Sequence, residues 1–142
     1  MAVLVDTGVL FALLDKDDIH HAAAKKIFEE GAGPFLIPTV ILPEVCYLTH
    51  KYLGPKVELA FLEGLLQGEL PLEWGKPEDL SRSVEILRAR PEFGMVDAMV
   101  MAVAERLKIV RIATIDHRHF GHFRPRHCQA FELLPDIASR NP

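Results

Sequence analysis

Four acidic side chains lie where the neighbouring sequence is apolar: Asp6, Glu44, Asp97 and Asp116. Burying an ionised carboxylate without a partner costs several kcal/mol, so each acid needs hydrogen-bond donors or a cation. Carboxylates that share one site repel one another and stay ionised at neutral pH only if cations join them. Oxygen ligands without a nearby His or Cys favour Mg²⁺ or Mn²⁺, which can activate water for in-line hydrolysis of a phosphodiester. The four positions therefore predict a metal-dependent hydrolytic centre.

Each acid also has a purely structural interpretation. Asp6 can cap a helix that begins at Thr7, Asp116 can be a turn residue, and Glu44 can be a solvated residue on a helix edge. Asp97 is the hardest to explain in this way, because it lies in the first turn of a very apolar helix. The helix dipole compensates for only ~0.3–1 kcal/mol of its burial. One shared cation explains all four acids together.

Strands that alternate with helices are predicted to position these acids. Patterns typical of buried strands occur at five places: 2–5, 35–37, 70–74, 109–115 and 131–133. Asp6 and Asp116 each follow a strand directly, and ligands of open α/β sheets bind at the carboxyl ends of the strands. The two carboxylates face each other if their strands are neighbours. The alternation predicts an α/β fold with a mainly parallel sheet and right-handed crossovers.

Helical patterns fill the intervals between the strands. They cover six stretches: 7–14, 17–30, 39–53, 55–66, a stretch that opens at Pro77, and 94–107. In the helix that opens at Pro77, we expect Leu80, Val84 and Leu87 to face inward. The helix at 94–107 is apolar almost all round and is expected in the core. Four further side chains are expected in the core: Trp74, Met95, Met99 and Met101.

Four blocks of sequence occur in a specific order and spacing. They are VDTGVLFALL at 5–14, PEVCYL at 43–48, GMVDAMVMAVAERL at 94–107 and ATIDHRHF at 113–120. No single tetrapeptide within them is specific, but the combination is. Together they resemble the PIN domain family, and within it the VapC group of toxin ribonucleases. The resemblance implies a PIN-like three-layer α/β/α sandwich with a central, mainly parallel sheet.

The resemblance also implies an acidic pocket that binds Mg²⁺ or Mn²⁺. The implied activity is endonucleolytic cleavage of RNA, which leaves a 5′-phosphate on the product. The acidic quartet of the family falls on the four residues named above: Asp6, Glu44, Asp97 and Asp116. Thr7 and Thr114 match hydroxyl positions that support the quartet. Proteins of this group usually form homodimers and are inhibited by a cognate VapB-like antitoxin, whose C-terminal segment lies across the active-site groove.

A basic tract follows Asp116. It holds seven potentially basic side chains within eleven residues: His117, Arg118, His119, His122, Arg124, Arg126 and His127. An acidic pocket repels RNA, so we expect a solvated basic loop here to form a cationic rim, with Arg118, Arg124 and Arg126 as phosphate contacts. A zinc site made from the histidines and Cys128 is the alternative, but the spacing fits no standard site. Phe120 and Phe123 are either core residues, which we favour, or platforms for unpaired bases.

Length and composition fit one globular domain. The chain has 142 residues with a net charge of −4, so RNA must be held by a local basic patch and not by the overall field. Cys46 and Cys128 are expected to be reduced thiols. The apolar stretch 1–14 lacks a basic leader and contains Asp6, which favours a cytoplasmic protein without a membrane anchor. Residues 1–135 are predicted to form the PIN domain and 136–142 a C-terminal tail.

Two other functions compete with the nuclease. A catalytically inactive PIN-like module that binds RNA or protein has no use for four clustered charges, so the intact quartet disfavours it. A phosphatase of the haloacid-dehalogenase type also begins with an Asp after the first strand. That chemistry needs a second acid two residues later, where this chain has Gly8.

Overall fold

The centre of the molecule is a parallel sheet of five short strands. The computed structural model of the chain describes residues 1–31 and 33–136. Its strands are β1 (Val3–Val5), β2 (Phe35–Pro38), β3 (Leu72–Glu73), β4 (Arg111–Ala113) and β5 (Glu132–Leu134). They pair in the order β3-β2-β1-β4-β5, and every neighbouring pair is parallel. The strands that precede Asp6 and Asp116 are therefore neighbours, and the prediction of a parallel sheet is confirmed.

Seven α-helices and two short 3₁₀ turns flank this sheet in the described residues. The helices are α1 (Thr7–Leu14), α2 (His21–Glu29), α3 (Leu42–Leu53), α4 (Pro55–Leu66), α5 (Pro77–Ala89), α6 (Gly94–Leu107) and α7 (His117–Gly121). Right-handed crossovers from β1 through β2 to β3 place α1–α4 on one face of the sheet. The crossovers from β3 to β4 and β5 run the opposite way and place α5–α7 on the other face. This arrangement is the expected three-layer α/β/α sandwich.

Most helix boundaries agree with the sequence pattern, and three differ. Helix α2 begins at His21 and not at residue 17, because the Asp18 carboxylate accepts a hydrogen bond from the His20 amide and forms a turn before the helix. Thr39 opens a 3₁₀ turn, so α3 itself starts at Leu42. The segment after Asp116, predicted as a basic loop, forms the short helix α7.

Helix α5 buries polar residues on the side where apolar ones were expected. Leu80 and Val84 are 56% and 40% exposed, whereas Asp79 and Ser83 are buried. The Asp79 carboxylate accepts a hydrogen bond from the Lys76 amide at the start of α5, which fixes its inward orientation. The core assignment of two more residues is also wrong, because Trp74 is 76% exposed and Met95 is also exposed, while Met101 is fully buried as expected.

Ion pairs join α5 to α6. Arg82 donates to Glu105 at 2.6 Å and Arg106 to Asp79 at 2.8 Å. Arg106 also reaches Glu73 at 2.7 Å. We refer to this set as the paired cluster: Glu73, Asp79, Arg82, Glu85, Glu105, Arg106 and Arg126.

Three further predictions concern the chain as a whole. Cys46 and Cys128 are free, as expected. Among the helices of residues 1–31 and 33–136, none has the length and apolar character needed to cross a bilayer. Of the predicted C-terminal tail, 136–142, only Asp136 lies within the described residues.

Candidate active site

The carboxyl ends of β1 and β4 bring the first two predicted acids together. The Asp6 amide donates to the Ala113 carbonyl at 2.9 Å, which continues the β1–β4 pairing to the start of the site. The Asp6 carboxylate accepts hydrogen bonds from the Thr7 amide (2.8 Å) and from the Thr114 hydroxyl (3.0 Å). The oxygen of the same hydroxyl accepts from the Asp116 amide at 3.1 Å. The Thr114 hydroxyl therefore bonds both the Asp6 carboxylate and the Asp116 backbone.

Glu44 is held at the edge of this site by the second predicted hydroxyl. It lies in the first turn of α3, and its Oε2 accepts a hydrogen bond from Thr7 Oγ1 at 2.9 Å. Its side chain is exposed. The Glu44 carboxylate is near enough to Asp6 for its charge to raise the pKa of that residue.

Asp97 and Asp116 meet at a histidine that the sequence argument placed elsewhere. Asp97 lies in the first turn of α6, which begins at Gly94 with φ +78°, a conformation that side chains rarely adopt. The Asp97 Oδ2 lies 2.7 Å from His119 Nδ1, and the Asp116 Oδ2 lies 3.6 Å from the same nitrogen. We refer to these three residues as the Asp97–Asp116–His119 cluster; their ligand atoms lie within 4.8 Å of one another.

His119 was missed because α7 was missed. The basic composition of residues 117–127 predicts a solvated loop, and in a loop the His119 side chain has no fixed direction. In the helix, His119 lies one turn after Asp116, on the side of that residue. The spacing of three residues between Asp116 and His119 is the signal that could have found it.

The four acids share one electrostatic environment. Burial, followed by the charge of Asp97, raises the pKa of Asp6 from 3.8 to about 6, and Glu44 adds to this shift. Hydrogen bonds from Thr7 and Thr114 partly oppose the rise. Burial also raises the pKa of Asp97; the His119 hydrogen bond opposes this effect, and the charges of Asp116 and Glu44 increase it. A proton or a cation would relieve this repulsion.

An open cleft of about 610 Å³ reaches two of the acids, Asp6 and Asp116. Its walls are formed by eight residues: Asp6, Gly8, Phe11, Asp18, Ile115, Asp116, His117 and Arg118. Gly8 lies against Ile115, and a Cβ at this position would meet the Ile115 side chain at 3.4 Å, an ordinary van der Waals contact. The exposed Arg118 side chain lies 3.5 Å from Asp116 and brings a cation to the mouth of the cleft.

The rest of the basic tract takes different positions. Arg124 is exposed, whereas Arg126 lies 2.8 Å from Glu85 in the paired cluster. The alternative zinc site is not formed: among the described residues, the one group of three or more possible ligands is the Asp97–Asp116–His119 cluster. Phe120 is buried and Phe123 packs against the core, as the favoured interpretation predicted.

The donor set fits a divalent cation. Carboxylate oxygens are the ligands that Mg²⁺ and Mn²⁺ prefer, and their raised pKa values indicate that positive charge is lacking. The cleft leaves room for the water molecules that such ions retain.

A model of the family described as "PIN domain" matches residues 3–124. The chain belongs to the PIN domain family. Ribonuclease VapC26 of Mycobacterium tuberculosis is 27% identical over 135 residues, which cover 94% of this chain and 100% of the relative. A VapC ribonuclease of Archaeoglobus fulgidus is 31% identical over 121 residues, which cover 80% of this chain and 76% of the relative. These relatives place the chain in the VapC group of PIN domains, as the sequence blocks indicated.

Solved structures of the same group share the fold. The M. tuberculosis toxin VapC20, which cleaves the sarcin–ricin loop, matches with a TM-score of 0.75 and 22% identity over 82% of this chain and 92% of that one. The DNA-bound VapBC complex of Salmonella typhimurium matches with a TM-score of 0.66 and 18% identity over 94% of this chain and 96% of that one. Both likenesses confirm the α/β/α sandwich of a PIN domain.

Proposed function

We propose that this PIN domain is a VapC-type toxin that cleaves RNA endonucleolytically, using Mg²⁺ or Mn²⁺, and leaves a 5′-phosphate. The observation that supports this best is the convergence of four acids from separate elements, with the pKa of Asp6 raised to about 6 by burial and by the charge of Asp97. Carboxylates in such a cluster remain ionised at neutral pH when a cation shares the site. The names of the relatives, which are VapC ribonucleases, support the same activity.

Asp6, Asp97 and Asp116 would hold the metal, with Glu44 at the edge of the site. The bound metal supplies an activated water and stabilises the leaving oxygen of the phosphodiester. Thr114 fixes the Asp6 carboxylate and the Asp116 backbone, and Thr7 fixes Glu44, so the ligands are oriented before the metal binds.

Arginines of the basic tract would hold the phosphates of the RNA. Arg118 lies at the mouth of the cleft, where its exposed side chain makes only a long 3.5 Å ion pair with Asp116, and Arg124 is exposed. Both side chains can therefore reach phosphate oxygens. Arg126, the third predicted contact, is already paired with Glu85 and would contribute less.

A VapB-like antitoxin and a second copy of the chain are the proposed protein partners. The structural neighbours include VapBC complexes, in which the toxin is bound to an antitoxin. A groove lined by Pro43, Tyr47 and Leu48 adjoins Glu44 and would accept apolar side chains of the antitoxin segment. For the homodimer, the large apolar side chains exposed on and before α5, Trp74, Leu80 and Val84, provide a surface that association would bury.

The proposed location is the cytoplasm, and the proposed boundaries of the PIN domain are residues 1–135. We place the domain boundary after β5, which ends at Leu134, although the family model matches only residues 3–124.

The test is RNA cleavage by metal-free protein to which single metals are returned. We expect no cleavage in EDTA, restored cleavage with Mg²⁺ or Mn²⁺, and products with 5′-phosphate ends by mass spectrometry. Cleavage that persists in chelator would overturn the metal mechanism. Binding of RNA without cleavage in either metal would instead favour the inactive PIN-like module.

A further inference from the structure

We infer that His119 is a nitrogen ligand of the metal in the acidic site and that it makes this site select Mn²⁺ over Mg²⁺. The inference rests on the proposed metal-dependent function. It changes the expected chemistry of the site, since the four acids alone would offer only oxygen ligands.

The geometry of the Asp97–Asp116–His119 cluster suits one cation. His119 Nδ1 lies 2.7 Å from Asp97 Oδ2 and 3.6 Å from Asp116 Oδ2. Adjacent ligands of an octahedral ion, each about 2.1 Å from the metal, lie roughly 3 Å apart, and the two observed distances bracket this value. A cation that enters between the three side chains would replace the His119–Asp97 hydrogen bond and requires only a small movement of either carboxylate.

The imidazole ring is held in the required direction from behind. Its ring centre lies 5.2 Å from the ring centre of Phe93, and the Arg90 guanidinium lies 4.6 Å from the same Phe93 ring centre. Arg90 is itself fixed, because it donates to the His122 carbonyl at 3.2 Å. Nδ1 therefore faces the two carboxylates while the aromatic packing limits rotation of the ring.

An imidazole among carboxylates changes the preference for metals. Mg²⁺ prefers oxygen ligands and loses its water molecules reluctantly, so it gains little from a nitrogen donor. Transition metals accept imidazole nitrogen readily, and Mn²⁺ accepts carboxylates as well. Adding one imidazole to the carboxylates of the site therefore favours Mn²⁺ over Mg²⁺ more strongly than oxygen ligands alone would.

One alternative gives His119 no direct contact with the metal. In that case its Nδ1–H donates a hydrogen bond to Asp97 and only orients the carboxylate. The variant His119→Asn separates the two roles, because its side-chain amide can still donate to Asp97 from a similar position but offers no imidazole nitrogen. His119→Ala removes both functions, and His122→Asn on the same segment is the matched control.

The experiment measures binding of Mn²⁺ and Mg²⁺ to the metal-free protein, together with pulsed electron paramagnetic resonance of the Mn²⁺ complex. We expect ¹⁴N coupling to Mn²⁺ in the wild type and in His122→Asn, and its loss in His119→Asn and His119→Ala. Mn²⁺ affinity should fall roughly 10–100-fold in His119→Asn, while its Mg²⁺ affinity changes little. Circular dichroism of each variant checks that the fold is retained.

Several results would overturn the inference. They are a wild-type Mn²⁺ complex without ¹⁴N coupling, an equal loss of Mg²⁺ and Mn²⁺ affinity in His119→Asn, and wild-type affinities in that variant with losses only in His119→Ala. If the wild type binds neither metal, the proposed function itself fails. That result is distinct from binding of both metals without a nitrogen ligand, which contradicts only the role of His119.

Discussion

Helix α6 carries acidic side chains into two clusters with opposite electrostatic surroundings. Near its start, Asp97 faces Asp116 and is affected by the charge of Glu44. Near its end, Glu105 belongs to the paired cluster, in which Arg82 donates to it at 2.6 Å. The same helix therefore holds one acid among other acids and one acid beside an arginine.

The pKa values follow this difference. Burial raises the pKa of both Asp6 and Asp97, and neighbouring acids increase the shift. Burial acts in the same direction on Glu105, but hydrogen bonds from Arg82 and from the Arg126 amide outweigh it and lower the pKa. The chain thus provides its own cations where an acid serves the structure. At the carboxyl ends of β1 and β4 it leaves negative charge that an ion from solution can neutralise.

The largest effect is expected when an acid of the active site loses its charge. Asp97→Asn should reduce RNA cleavage by roughly 10²–10³-fold or more, because it removes a metal ligand and electrostatic stabilisation of the reaction. Its melting temperature without metal should stay the same or rise, because a repulsion is removed. Cleavage assays in Mn²⁺ and thermal melts check both results. A variant that cuts at the wild-type rate would exclude Asp97 from the metal site.

Substitutions in the paired cluster should have the opposite effect: they should lower the stability of the fold and leave RNA cleavage by the folded protein unchanged. Arg106→Ala leaves Asp79 buried without its cation and should lower the free energy of unfolding by about 3 kcal/mol. Urea denaturation measures this change. In the double variant Asp79→Asn with Arg106→Met, most of the loss should be recovered. A loss below about 0.5 kcal/mol for Arg106→Ala would mean that solvent already screens the pair.

The pH dependence of the stability of the metal-free protein tests the repulsion within the acidic site. The pKa of Asp6 is about 6 in the folded protein and 3.8 in a model carboxyl, so the folded protein binds more protons between these values. The free energy of unfolding should therefore fall as the pH rises from about 4 to about 6, by about 2 kcal/mol.

Asp6→Asn should remove that slope and be the more stable protein at pH 7 but not at pH 4. At pH 7, saturating Mn²⁺ should raise the free energy of unfolding of the wild type but not that of Asp6→Asn. Urea denaturation at a series of pH values measures both. A slope of the same size in Asp6→Asn would assign it to another group.

The layered fold and the positions of the acids could largely be predicted from local sequence. The apolar runs before Asp6 and Asp116 identify buried parallel strands, and the apolar surroundings of Asp97 indicate a buried acid that needs a partner. These signals depend on neighbours within one element, where hydrophobic periodicity is informative. They were enough to find the layered fold and the residues that converge at its edge.

The contacts that depend on two distant elements could not be predicted. Leu80 and Val84 have the spacing of an inward face, yet α5 turns Asp79 inward, where its carboxylate is bonded both by the Lys76 amide and by Arg106 of α6. No periodicity within α5 contains that information. His119 is a similar case, since its role depends on α6 bringing Asp97 to the end of β4.

The smallest expected effect is on RNA binding by the basic tract, whose arginines lie in different surroundings. Arg118 lies beside the acids and Arg124 is exposed, while Arg126 is paired with Glu85. Arg118→Ala with Arg124→Ala should reduce the slope of log affinity against log salt for single-stranded RNA by about 1.4, the value for two lost phosphate contacts. Arg126→Ala should change this slope less, because its guanidinium already has a partner. Filter binding at several salt concentrations in the inactive Asp97→Asn background measures the slopes.

An equal change for Arg126→Ala would show that RNA competes with Glu85 for this side chain. Unchanged slopes in the double variant would place the RNA path elsewhere on the surface.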